Sequence, residues 1–207
     1  MKDVILAHGL WVPGVVMQPL AARLARGGFR CHTFSYMGSK RPLAAHAERL
    51  ARMARDIGPA HFVGHSLGGL VVLEALHRHP QIGVGRVVLL GTSVRGNLAG
   101  RRLARHALGR CLLGKSEPLW REGREARWTR AERLGVIAGT RPFGLGRLLG
   151  SLAGSNDGVV TLEETAVEGM AERVVMPVGH SAMLVSARVA AQIAFFLSDG
   201  KFIANSH

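Results

Sequence analysis

Acid is scarce in this chain. Its 207 residues include 14 Asp and Glu against 27 Lys and Arg, a formal net charge of +13. Only four are Asp (Asp3, Asp56, Asp157 and Asp199), so chemistry that needs an aspartate has few places to find one. Lysine is scarce too: four of the basic residues are Lys and the rest are Arg. A charge of this size raises nucleic acid or an anionic membrane as a partner. Tyr36 is the single tyrosine and no RNA-binding aromatic signature is present, so nucleic acid is not the expected partner. The two cysteines, Cys31 and Cys111, stand far apart and do not make a disulfide framework in a chain of this size. No apolar run approaches the roughly 20 residues that span a bilayer. The apolar run after Met1-Lys2-Asp3 leads straight into His-Gly, with no small-residue cleavage site. A cytoplasmic protein with reduced thiols is expected.

What is present argues for a folded core. Apolar residues make up 47% and charged residues 20%, which excludes disorder, and the length suits one domain over 1–207. Strand-like runs at Val4–Ala7, Phe29–Phe34, His61–Val63 and Arg86–Leu90 alternate with helical patterns at Met17–Gly27, Pro42–Ile57 and Leu67–Arg78. Further strands are expected at Val136–Ala138 and Arg173–Val178, with a Gly-rich connection over Arg141–Ala153 and a last helix over Ser186–Leu197. This rhythm predicts an α/β fold with a doubly wound, mostly parallel sheet of about six strands.

The sharpest motif is Gly64-His65-Ser66-Leu67-Gly68, continued by Gly69. It fits G-x-S-x-G between a strand and a helix, the setting of a nucleophile elbow. A serine on so sharp a turn needs strained backbone angles and neighbours without Cβ atoms. The helix start behind it offers free N–H groups to an oxyanion. A serine nucleophile also needs a base, and the base an orienting acid. Asp157, in Ser155-Asn156-Asp157-Gly158, is the one Asp in a loop at the C-terminal side of the sheet, with Glu163 and Glu164 as nearby substitutes. His180 follows the last strand in Pro177-Val178-Gly179-His180-Ser181 and is the candidate base. His65 adjoins Ser66 but is expected to point away from it. Two N–H donors must face the developing oxyanion. Leu67 is expected to supply one. The loop His8-Gly9-Leu10-Trp11 supplies the other, from Leu10 or, as the alternative, Trp11. The side chains of Leu10 and Leu67, with Val12, Val94, Val159, Met183 and Leu184, are expected to line an apolar substrate pocket.

These motifs together resemble the α/β-hydrolase family, and in particular its compact bacterial lipase- and esterase-like members. The resemblance runs from Val4 to Leu197 and rests on His8-Gly9-Leu10, the Gly64–Gly69 run, Asn156-Asp157-Gly158-Val159-Val160 and Gly179-His180-Ser181. It implies Ser66 as nucleophile, His180 as general base and then acid, and Asp157 as its orienting partner. It places Leu10 and Leu67 in the oxyanion hole and implies no metal or organic cofactor. The chain begins at the strand before the oxyanion loop, so the resemblance is to minimal members without the family's first two strands. Because that family also includes lyases, peroxidases and non-catalytic members, the fold does not fix the reaction.

The rhythm breaks between Arg95 and Arg133. This segment carries 11 basic residues against four acids, a net of +7 and more than half of the whole charge. Leu98, Leu103, Ala107, Leu108, Leu112 and Leu113 give part of it an amphipathic helix pattern. In the family that the chain resembles, this position carries a small cap over the pocket, and the charge suits an acidic substrate or an anionic lipid surface. A solvated Arg-rich face produced by compositional bias is the plainer reading. The leading expectation is a serine hydrolase of carboxylic esters acting on a small-molecule or lipid-like ester. Acyl transfer or thioester cleavage on the same triad, and a non-catalytic basic protein binding membrane or nucleic acid, are the alternatives.

Overall fold

The computed structural model describes residues 1–122, 127–142, 152 and 154–204. Residues 123–126 of the basic insert, most of the expected Gly-rich connection and the end of the tail lie outside the described residues. The strands are β1 (Asp3–Ala7), β2 (Arg30–Phe34), β3 (Ala60–His65), β4 (Val84–Leu90), β5 (Leu134–Gly139) and β6 (Glu172–Met176). The helices are α1 (Gln18–Arg26), α2 (Leu43–Ile57), α3 (Leu67–Arg78), α4 (Leu98–Ala104), α5 (Ala107–Leu113), α6 (Glu117–Glu122) and α7 (Ala187–Asp199).

All six strands pair in parallel, in the order β2-β1-β3-β4-β5-β6. A parallel sheet must be covered on both faces, because each crossover helix packs back onto it. The alternation of side chains along each strand divides the core accordingly. Ile5, Ala7, Phe62, Val87, Leu89 and Val136 point toward α2 and α3. Val4, Leu6, Val63, Val88, Leu90 and Ile137 point toward α1 and α7. The central strands β3 and β5 are buried along their whole length, which is why they read as continuous apolar runs. The edge strand β6 alternates between exposed and buried positions.

The strand order reverses direction between β1 and β3. Chains leaving those two strands diverge to opposite faces and open a crevice at the carboxyl end of the sheet. The His8–Trp11 loop and Ser66 both emerge there. The part of the insert with an amphipathic helix pattern forms two short helices, α4 and α5, separated at Arg105 and His106. Leu103 and Leu113 turn inward, whereas Leu108 and Leu112 remain 72% and 48% exposed. A leucine four residues from another shares its helix face, so Leu108 and Leu112 lie together on the outside.

Candidate active site

Ser66 sits between the end of β3 and the first turn of α3, with φ 54° and ψ −124°. A non-glycine residue there is strained, and the surrounding packing must hold it. The glycines around it make room for that packing. A Cβ at Gly64 would overlap the backbone of Gly69, one at Gly68 the carbonyl of Ala7, and one at Gly69 the Thr92 hydroxyl. Gly9 brings the loop after β1 to the serine itself, since a Cβ there would stand 3.1 Å from Ser66 Cβ.

Asp157 and His180 come from separate loops and meet in the interior. His180 Nδ1 donates to Asp157 Oδ2 at 2.7 Å. The two backbones are joined as well, because the His180 N–H donates to the Asp157 carbonyl at 2.9 Å. The other carboxylate oxygen accepts the N–H groups of Val159 (2.9 Å) and Val160 (2.8 Å). Asp157 is only 1% exposed and its carboxylate is held in place by three hydrogen bonds. With Nδ1 donating, the proton of neutral His180 is fixed on that nitrogen and Nε2 is left as a base. Gly91 (φ 50°) and Gly139 clear the space behind this pair; a Cβ at Gly91 would stand 2.8 Å from Asp157 Oδ2.

Ser66 and His180 line one cavity of about 660 Å³ together with Leu10, Trp11, Val12, Val159 and Leu184. Val94 does not line it. It is buried in the core and borders a separate depression beside Trp128, with its N–H donated to the Glu164 carbonyl at 2.7 Å. Met183 is also fully buried rather than lining, with its Cε beneath Gly139. The Leu67 side chain likewise turns away from the cavity, toward Gly38. In each case the side chain satisfies the core, and only the neighbouring backbone belongs to the loop at the strand ends. Trp11 adopts φ 62° and donates its indole N–H to the Leu112 carbonyl at 2.8 Å. Glu164 is engaged elsewhere, accepting the Leu98 and Thr161 N–H groups, and Glu163 is exposed.

Several lining residues carried no pattern in the sequence. Asn97 caps α4, accepting the Gly100 N–H at 2.6 Å, while its amide donates to the Val159 carbonyl at 2.9 Å. An Asn before an apolar helical run is a readable cap signal, but its second bond is not. Trp120 reaches the cavity from α6, its indole held by the Ser116 hydroxyl at 3.0 Å. His65 does turn away from the serine: its Nε2 donates to the His180 carbonyl at 3.1 Å and its ring lies 4.7 Å from that of His180. Burial, followed by the neighbouring His180, lowers its pKa to about 3, so it stays neutral. His8 is buried and stacked on Tyr36; it accepts the Tyr36 N–H at Nε2, which leaves its proton on Nδ1 facing the Gly9 carbonyl. Burial lowers its pKa as well. Among the described residues, no group of three His, Cys, Asp or Glu side chains is arranged to hold a metal ion. None of the helices described there is long and apolar enough to cross a membrane.

Comparison with known proteins fits this architecture. A lipase from Bacillus licheniformis, in its mature form, superposes with a TM-score of 0.78 at 17% identity, over 95% of this chain and 91% of that one. A metagenomic carboxyl esterase superposes with a TM-score of 0.67 at 17% identity, over 95% of this chain and 75% of that one. At such identities the likeness is one of fold. RutD of Yersinia enterocolitica (serotype O:8 / biotype 1B), whose name proposes a carbamate hydrolase, is 34% identical over 102 residues. That match takes in 44% of this chain and 36% of RutD, so it spans about a third of the relative's length. The family model described as the alpha/beta hydrolase family matches residues 4–192. With a match over nearly all of its length, and with this sheet beneath it, the chain belongs to the alpha/beta hydrolase family.

Proposed function

We propose that this hydrolase cleaves carboxylic esters through an acyl-Ser66 intermediate. The observation that carries the reading is the Asp157–His180 hydrogen bond, set beside a strained serine on one apolar cavity. His180 Nε2 takes the Ser66 proton as Oγ attacks the acyl carbonyl, and Asp157 stabilises the imidazolium that forms. The N–H of Leu67, at the start of α3, and that of Leu10 receive the oxyanion, with Trp11 as the alternative donor. His180 then protonates the departing alcohol and activates the water that releases the acid. The apolar lining from Val12, Val159, Leu103 and Leu184 suits an acyl chain.

Labelling with a fluorophosphonate probe, mapped by peptide mass, tests the nucleophile. Modification at Ser66, and loss of 4-nitrophenyl ester turnover in Ser66→Ala with an unchanged circular dichroism spectrum, are expected. Retained turnover in that variant sinks the assignment. Thioester cleavage and acyl transfer use the same steps with a different leaving group or acceptor, and a substrate panel with added alcohols separates them. The name of RutD adds carbamates to that panel. The exposed Leu108 and Leu112, among the arginines of α4 and α5, suit an anionic lipid surface; co-sedimentation with phosphatidylglycerol vesicles tests it.

A further inference from the structure

A second cavity of about 650 Å³ adjoins the first and shares Trp11 and Val12 with it. Its chemistry is opposite. Lys40, Arg41 and Arg49 line it, and no acidic residue does. Neither Lys40 nor Arg41 has a carboxylate partner among the described residues, and both are exposed. Arg49 is held in place, donating to the Ser35 carbonyl at 3.3 Å with its guanidinium 5.6 Å from the Phe34 ring centroid. α2, a helix of 15 residues with no acid in its first turn, begins two residues after Arg41, behind Pro42. His46, from the next turn of that helix, also lines the cavity and is 2% exposed. Neither of its ring nitrogens has a partner within hydrogen-bond geometry, and burial, followed by the nearby charge of Arg49, lowers its pKa. Like charges gathered on one concave surface repel one another and attract an anion.

The wall between the two cavities is thin. A Cβ at Gly38 would stand 2.8 Å from Leu67 Cδ2 and 3.0 Å from Leu10 Cδ1. The cationic cavity therefore backs onto the two residues whose N–H groups are proposed to face the oxyanion. We infer that it is a subsite for an anionic group of the substrate, a carboxylate or a phosphate, so that the preferred ester is acidic at one end and apolar at the other. The inference rests on the ester-hydrolase reading for the word substrate, but the anion site stands on its own geometry.

Two measurements keep these apart. Calorimetric titration of the wild-type protein with inorganic phosphate, and separately with succinate, is expected to show saturable binding that weakens about tenfold in the double variant Lys40→Ala/Arg41→Ala. Absence of saturable binding, or equal binding in the double variant, overturns the site. Both side chains are exposed, so the variant folds, and its circular dichroism spectrum checks this. The second measurement compares kcat/KM within matched pairs. Mono-4-nitrophenyl glutarate against 4-nitrophenyl valerate places a carboxylate on the acyl side. 3-Carboxy-4-nitrophenyl acetate against 4-nitrophenyl acetate places it on the leaving group. One charged ester is expected to be preferred about tenfold over its neutral partner, with the ratio collapsing in the double variant. A preference in neither pair overturns the substrate role. If no ester turns over while phosphate still binds, the ester reading fails and the anion site survives.

Discussion

Beneath Ser66, at the strand ends, Gly64, Gly68, Gly69, Gly91 and Gly139 stand where a Cβ would strike backbone or a buried side chain. Over the same cavity, α4 and α5 are short, flanked by exposed arginines, and leave two leucines in solvent. The floor is positioned by close backbone contact, so its geometry has almost no slack. The roof has close contacts of its own, where a Cβ at Gly109 would meet the Leu103 carbonyl and one at Gly114 the Ser39 carbonyl, but its outer face is open and side chains anchor the rest: Asn97, Trp120 and the Trp11 indole. Two kinds of tolerance follow. A single added methyl should disturb the floor, whereas whole side chains can change on the outside of the roof.

The largest effect is expected for Gly68→Ala, because its methyl meets the Ala7 and His8 carbonyls and backbone cannot step aside. Overpacking of this kind costs about 1–3 kcal/mol, and ester turnover should fall to background as Ser66 is displaced. A urea denaturation curve and a turnover assay check both; an active, stable variant breaks the contrast. Asp157→Asn keeps the shape of the floor but removes the charge and the preferred His180 tautomer. A fall of about a thousandfold or more in kcat with little change in KM is expected.

Acid should also act on the buried framework. Burial lowers the pKa of His61 to about 4 and that of His65 to about 3, against about 6.5 in the unfolded chain. Between those values the unfolded chain binds protons that the native protein does not. Stability is therefore lost as pH falls from about 6.5 toward 4, on the order of 1 kcal/mol per pH unit for each histidine. Urea midpoints at pH 7 and pH 5 measure this, and His61→Gln should flatten the dependence. The smallest effects belong to the roof. Trp11→Phe removes one indole hydrogen bond to α5 and should cost about 1 kcal/mol or less. Leu108→Ser, on the outside, should change the midpoint by less than about 0.5 kcal/mol, and a larger loss would place that leucine in an unrecognised contact.

The floor was also the part most legible in the sequence. Strands buried on both faces of a parallel sheet are short, continuous apolar runs, and the glycines of the elbow are adjacent in the chain. The roof was less legible because its inward residues come from three short helices whose relative placement no local period encodes. Leu103 and Leu112 share one pattern, yet one lines the cavity and the other faces solvent. Val94 and Met183 are apolar and near the right loops, but nearness in the chain does not distinguish lining from core. The cationic cavity was invisible for a related reason. Lys40 and Arg41 lie in a loop, Arg49 and His46 on a helix, and only their common position beside Trp11 makes them one surface.

Glu164 and Asn97 have a consequence for how this enzyme could be rebuilt. Glu164 grips the first N–H of α4 with one carboxylate oxygen and the turn at Thr161 with the other, while its carbonyl receives the N–H groups of Val94 and Arg95. Asn97 reaches from the same helix start to Val159. The roof and the loop that carries Asp157 are thus a single transplantable cassette. A graft of α4–α6 taken from another family member would arrive without its counterpart in residues 156–164, and would loosen the acid it was never meant to touch.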